Sequence, residues 1–167
     1  MQKIHLISTG GTIEKIYSEQ TGVVENAGTK IDRYLHMLRL PDTEIHPVHL
    51  MNKDSLEMTV EDRAAVLRAV EACFADAGPV VISHGTDTMV ETGLYLLAHL
   101  PQTPVPVIFT GAMTPLGFER SDGLQNLTES LFAARVLPPG IYLVMHNQVF
   151  PIDQVKKNKE LARFVWK

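Results

Sequence analysis

The chain contains a single cysteine and a single tryptophan in 167 residues. A lone Cys73 excludes an internal disulfide framework, and with no second cysteine there is no C-x-x-C redox or zinc pattern. Beside Phe74 in a helical run, it reads as a buried structural thiol. Positive charge is not in excess either: 15 Lys+Arg against 19 Asp+Glu give a formal charge of −4. That balance argues against a general nucleic-acid binder, which needs a basic face. The only basic concentration is residues 156–167, where five Lys/Arg stand against Glu160, and it reads as a solvated helical end. No run reaches the roughly 18 apolar residues of a membrane-spanning helix. The amino end passes directly into Lys3-Ile4-His5-Leu6-Ile7 with no signal-peptide pattern, so a soluble cytoplasmic protein is expected. There is no G-x-S-x-G elbow, no phosphate-binding G-x-x-x-x-G-K-[ST] loop and no G-x-G-x-x-G. Seven histidines are scattered without an H-E-x-x-H, and His46 and His49 read as flanking a strand. No metal, nucleotide or other cofactor is expected. Asn126-Leu127-Thr128 matches a glycosylation tripeptide but falls in a helical segment.

What is present is an ordinary globular composition, 45% hydrophobic. A chain of this size hides roughly 70% of its unfolded surface, enough for one core, and at ~150 residues per domain it makes about one domain. The pattern alternates strands with helices. Residues 4–8 form an apolar run that stops at Thr9-Gly10-Gly11, and residues 17–28 are polar, glycine-bearing and without period, which reads as a mobile loop. Thr29 is placed to cap a helix over 29–40 ended by Pro41, and residues 45–51 form a second strand. Thr59 and Asp62 make a capping-box pair for a helix to about residue 77, closed by Gly78-Pro79. Val80-Val81-Ile82 is continuously apolar, as in a parallel sheet covered on both faces. A helix over 88–100, a strand over 105–110, a loop over 111–121, a helix over 122–136 and a strand over 141–145 follow. The series predicts a doubly wound, mostly parallel α/β sheet in one domain.

In such sheets ligands bind beyond the carboxyl ends of the strands. Four segments leave strand ends carrying small hydroxyl or acidic residues: Thr9-Gly10-Gly11-Thr12, Asp54-Ser55, His84-Gly85-Thr86-Asp87 and Thr110-Gly111-Ala112-Met113. Gly10-Gly11 permits a tight backbone approach that presents Thr12, whose hydroxyl attacks only if a neighbour takes its proton. Tyr17 is one such neighbour. The same residues also have plain structural readings. Thr12 then caps a helix, Tyr17 is a loop aromatic, Thr86-Asp87 caps the next helix, and Ser55 forms a turn after Asp54.

Thr9-Gly10-Gly11-Thr12-Ile13 and His84-Gly85-Thr86-Asp87-Thr88-Met89 together resemble the two signature segments of the bacterial-type L-asparaginase family. The likeness continues through Asp54-Ser55 with Met58-Thr59, Gly111-Ala112-Met113, Ser121-Asp122-Gly123 with Asn126-Leu127, and ends at Asp153, Lys156 and Asn158. The resemblance implies hydrolysis of L-asparagine to aspartate and ammonia, with Thr12 as nucleophile and an acyl-enzyme intermediate. Tyr17, in the family's flap, would partner Thr12. Thr86, Asp87 and Lys156 would handle protons, Lys156 being preferred to Lys157 for its three-residue gap from Asp153. Gly11, Asp54, Ser55, Gly85, Thr86, Asp87 and Ala112 would bind substrate, with backbone amides near Gly11, Thr12, Thr86 and Ala112 as oxyanion donors. A homo-oligomer, dimer or tetramer, is implied too.

Two departures stand out. Leu56 occupies a position where many members carry a substrate-binding glutamine. The chain also corresponds to the first domain only, so the second domain with its cross-subunit carboxylate is expected to be absent, in a short-chain member or a fragment of a longer chain. Weak asparagine binding follows, with Glu14, read as a solvated flap residue, the nearest replacement carboxylate. The alternatives are an amidase that also takes glutamine, an amidotransferase-type relative, or an amino-acid-binding domain without turnover.

Overall fold

A computed structural model describes residues 1–26 and 30–167. The apolar run at the amino end is the inner strand β1 (Gln2–Gly10), and it is paired in parallel on both sides, with β4 (Thr43–Lys53) and β5 (Val80–Ser83). Beyond β5 lie β6 (Pro106–Thr110) and β7 (Gly140–Met145), also parallel, and β8 (Gln148–Pro151) closes the edge antiparallel to β7. The sheet order is β4-β1-β5-β6-β7-β8. Side-chain alternation along each strand divides the core in two. Ile7, Ile82 and Phe109 point to the side of α2 (Val60–Cys73) and α3 (Met89–His99), against Val66, Val70, Met89 and Leu96. Leu6, Val81 and Ile108 point to the side of α1 (Ile31–Leu35) and α4 (Gly123–Val136), against Ile31, Leu127 and Leu131. Covering both faces explains why the inner strands read as unbroken apolar runs. The fold is the expected α/β sheet with helices on both faces.

Local chemistry sets the boundaries. Thr59 and Asp62 form a reciprocal box at the start of α2: the Asp62 amide donates to Thr59 Oγ1 at 3.2 Å and the Thr59 amide donates to Asp62 Oδ2 at 2.9 Å. Such a cap contributes about 1 kcal/mol. Cys73 is buried at the other end of α2, as expected, and burial pushes its thiol pKa up.

Three expectations are corrected. The helix over 29–40 is only one turn and a half, Ile31–Leu35; its proposed cap, Thr29, lies outside the described residues. After Leu35 the Met37 and Leu38 amides reach back three residues, and these tighter turns bring Leu38 and Leu40 to the core. The segment over 17–28 carries a small antiparallel hairpin, β2 (Ile16–Tyr17) with β3 (Val24–Glu25), because Ser18 and Gly22 close its turn. The basic tail is not a helical end but a second hairpin, β9 (Val155–Asn158) with β10 (Arg163–Trp166). Val155 and Phe164 are buried in the core, and Trp166 packs edge-on to Phe150 at 4.9 Å. Burial of alternate apolar residues wins over the charge count.

Candidate active site

The strand order reverses between β1 and β5, since the chain leaves β1 toward β4 and returns on the other side to build β5, β6 and β7. A crevice opens at such a switch point, outside the carboxyl ends of the strands. Thr12 follows one of those ends and Thr86 the other.

The two turns touch. Gly11 adopts φ 78° and ψ −173°, a conformation essentially reserved for glycine, and a Cβ there would collide with the Gly85 backbone. A Cβ on Gly85 would in turn meet the Ser55 side chain, so Gly11, Gly85 and Ser55 are in mutual contact. The Gly11 amide donates to Lys53 O at 2.9 Å, and Asn26 Nδ2 donates to Gly11 O at 2.9 Å. Thr12 then opens a short 3-10 turn, Thr12–Glu14, and stands half-buried at the crevice. Tyr17 lies on β2, 57% exposed, and makes no hydrogen bond with Thr12 among the described residues.

Glu14 is not a solvated flap residue. It is 1% exposed, and its Oε2 accepts from the Lys30 amide at 2.6 Å and the Ile31 amide at 3.4 Å. Burial raises its pKa against the pull of those two amides. Lys30 Nζ donates back to Lys15 O and to Leu116 O, both at 2.8 Å, so the turn bearing Thr12 is tied to the start of α1. Glu14 cannot serve as a free carboxylate for a substrate.

Asp54 caps the turn Ser55–Glu57 through the Leu56 amide at 3.1 Å and accepts from Lys15 Nζ at 2.7 Å. The Lys15 contact, then the Leu56 amide, holds its carboxyl below the usual range. Ser55 is buried, its carbonyl accepting from Thr88 Oγ1 at 2.8 Å, whereas Leu56 is 71% exposed. A polar cleft of about 320 Å³ borders this turn, lined by Lys15, Val24, Glu25, Asn26, Asn52, Asp54 and Glu57.

On the β5 side, His84 is fully buried, its Nδ1 2.8 Å from Gly85 O and its Nε2 2.9 Å from Thr92 Oγ1. Burial pushes its pKa down to about 4, so the ring is neutral at neutral pH. A carbonyl only accepts, so Nδ1 carries the proton and Nε2 accepts from Thr92. The ring thereby anchors the turn that presents Thr86 and Asp87.

The lysine that reaches this turn is Lys157, not Lys156. Lys157 Nζ donates to Thr86 Oγ1 at 2.7 Å and to Asp87 Oδ1 at 2.8 Å. Spacing from Asp153 ignores the alternation of β9. Val155 and Lys157 share one face of that strand, and Val155 is buried, so Lys157 points inward and Lys156 outward into solvent.

The fourth wall is the loop after β6. Ala112 is fully buried, and the space a Cβ on Gly111 would need is taken by His84 O and the Met89 methyl, with Thr86 Cγ2 at 3.5 Å. Asp122 accepts from the Met113 amide at 3.0 Å, the Thr114 amide at 2.9 Å, Asn126 Nδ2 at 2.9 Å and His146 Nε2 at 2.7 Å. These bonds hold its carboxyl below the usual range although burial alone would raise it. In the sequence Asp122, Asn126 and His84 stand only as motif letters with no role of their own, and His146 is missed. Burial of a polar ring after an apolar strand was a signal for His84; nothing local pointed to His146.

The structure thus brings Gly11, Thr12, Ser55, Gly85, Thr86, Asp87 and the loop of Ala112 to one crevice, adds Lys157, and turns Lys156 to solvent, while Tyr17 is exposed on β2. Residues 3–163 match the family model described as asparaginase, N-terminal. The chain is 36% identical over 166 residues to L-asparaginase 1 of Escherichia coli K12, covering 94% of this chain and 48% of that protein. It is also 36% identical over 145 residues to a glutamyl-tRNA(Gln) amidotransferase polypeptide of Methanothermobacter thermautotrophicus, covering 86% of this chain and 33% of that protein. The solved thermostable L-asparaginase of Thermococcus kodakarensis superposes with a TM-score of 0.86 at 30% identity, over 99% of this chain and 51% of that one. The chain spans about half the length of these two L-asparaginases.

Proposed function

Because the chain belongs to the asparaginase family, we propose that it hydrolyses the side-chain amide of L-asparagine to aspartate and ammonia. Thr12 Oγ1 attacks the amide carbon, its proton passes to the departing nitrogen, and the C–N bond breaks to release ammonia. Water then attacks the acyl ester on Thr12, freeing aspartate and restoring the hydroxyl. Splitting the hydrolysis at an ester makes two accessible steps from one difficult one.

The observation that carries this reading is the Thr86–Lys157–Asp87 group beside the Gly11-Thr12 turn, with both lysine contacts under 3 Å. Lys157 Nζ stands between the Thr86 hydroxyl and the Asp87 carboxylate, within reach for proton exchange with the hydroxyl, and its side chain is 17% exposed. Asp87 uses Oδ1 on the lysine, and its other oxygen is assigned to the substrate ammonium. Ser55 and the Gly85-Thr86 backbone are assigned to the α-carboxylate, and backbone amides at Thr12, Thr86 and Ala112 to the oxyanion. Tyr17, exposed on β2, is assigned as the partner of Thr12 on the family likeness alone. A homo-oligomer, dimer or tetramer, and a cytoplasmic location belong to the same proposal and rest on the family likeness.

Ammonia release from asparagine, glutamine and a simple amide tests it. Turnover of asparagine well above the other two is the expected result. Preference for glutamine would favour the amidotransferase-type reading, which the Methanothermobacter relative supports. No release at tens of millimolar asparagine would refute the activity for this chain.

A further inference from the structure

Asp122 occupies the position before α4, where an aspartate ordinarily caps its own helix by accepting from the second or third amide. It does not: among the described residues no side-chain cap bond to α4 is present, and the Gly123 amide is taken by Ser121 Oγ at 3.1 Å. The carboxylate turns the other way. It accepts the Met113 and Thr114 amides, so two successive peptide groups of the loop after β6 are fixed on one side chain. Asn126 reinforces this by donating Nδ2 both to Asp122 and to Gly111 O, each at 2.9 Å, so residues 111, 113 and 114 are all gripped.

The last member arrives from another strand. His146 begins the turn between β7 and β8 with φ 53°, followed by Asn147 at φ 60°. Two positive φ values suit a tight hairpin turn, where Asn and Gly are the commonest residues and His is among the others that enter the left-handed region. Its ring donates to Asp122 Oδ2 at 2.7 Å, and its own amide donates to Asn126 Oδ1 at 3.0 Å.

Resting on the amide-hydrolysis reading above, we infer that Asp122, locked by His146 and Asn126, is a positioning residue for the reaction. It holds the peptide groups flanking Ala112 against Thr86, in register with the crevice where the amide is attacked. None of the three side chains touches the substrate; they act through the backbone of residues 111–114. A reacting geometry displaced by a fraction of an ångström loses rate steeply, whereas ground-state binding through Ser55 and Asp87 is untouched. The signature is therefore a loss in kcat with little change in KM.

The test is steady-state ammonia release by the wild-type chain and by Asp122→Asn, His146→Gln and His146→Phe, normalised to folded protein. Amide hydrogen exchange at Met113 and Thr114 is measured alongside. Asp122→Asn is expected to lower kcat about ten- to a hundred-fold with KM within roughly three-fold, and to speed exchange at both amides. His146→Gln keeps an N–H donor for Asp122 and is expected to retain most of kcat, while His146→Phe loses it. Should Asp122→Asn fail to fold, the two His146 variants carry the comparison. An active wild type with an unimpaired Asp122→Asn overturns this inference alone. Equal losses in the two His146 variants, in step with their melting temperatures, reduce the network to a structural role and overturn it too. A wild-type chain that releases no ammonia overturns the activity and this inference together.

Discussion

Replacing Lys157 by Met removes one ammonium and keeps most of the aliphatic stem. Two short contacts disappear, 2.7 Å to Thr86 Oγ1 and 2.8 Å to Asp87 Oδ1. A charge-assisted bond of this kind contributes about 1.5–3 kcal/mol when buried. The Asp87 side chain is 37% exposed, so water takes over part of the lost contact and the net stability cost is about 1 kcal/mol. Turnover should suffer far more. With no amine within reach of Thr86, the proton-transfer contribution of roughly 10²- to 10⁴-fold is forfeited. Lys156→Met, made on the solvent face of the same strand, should change kcat less than about two-fold, as surface substitutions usually do. A coupled ammonia assay on both variants, with melting curves to confirm folding, compares them directly. Equal losses, or a larger loss at Lys156, would refute the assignment of the inward face of β9 and the mechanism built on it.

Thr12→Val preserves shape and removes the hydroxyl, so activity should drop by orders of magnitude with a nearly unchanged melt, and mass spectrometry should find no acyl adduct where the wild type gives one. Gly11→Ala should be severely destabilising or inactive, because its glycine-only backbone conformation and the collision with Gly85 compound one another; a wild-type melt would contradict the turn geometry. His84 has a folded pKa of about 4 against an ordinary 6.5. Its contribution is therefore complete above pH 6.5 and is lost as pH falls toward 4, on the order of 3 kcal/mol in all. Urea unfolding between pH 7.5 and 4.5 should show a shallower pH slope in His84→Gln, and an identical slope would remove His84 as the source.

Much of this molecule was legible because the relevant physics is local. Apolar runs with periods of 2 and 3.6 mark the strands and the long helices, and the Thr59–Asp62 box marks where α2 starts. The glycine pairs mark where the backbone must pass close to itself. The strand ends after β1 and β5 follow from that alternation alone, as does the expectation that Thr12 and Thr86 share a crevice.

Less was legible wherever a residue's fate depended on partners far along the chain. Glu14 looks solvated in a polar stretch, yet the amides of Lys30 and Ile31 bury it. The tail looks helical by its charge, yet Val155 and Phe164 are drawn into the core and impose a strand. That strand in turn selects Lys157, since a one-residue difference in an extended chain reverses the face. His146 meets Asp122 across 24 residues, and Lys157 meets Thr86 across 71. The sequence by itself determined the parallel strands, the long helices α2, α3 and α4 and which turns need glycine, because those preferences act over a few residues. Only the tertiary structure decided which lysine enters the crevice, which carboxylate is sealed away and which ring steadies the loop of Ala112, because those outcomes are set by which faces the packed core leaves turned inward.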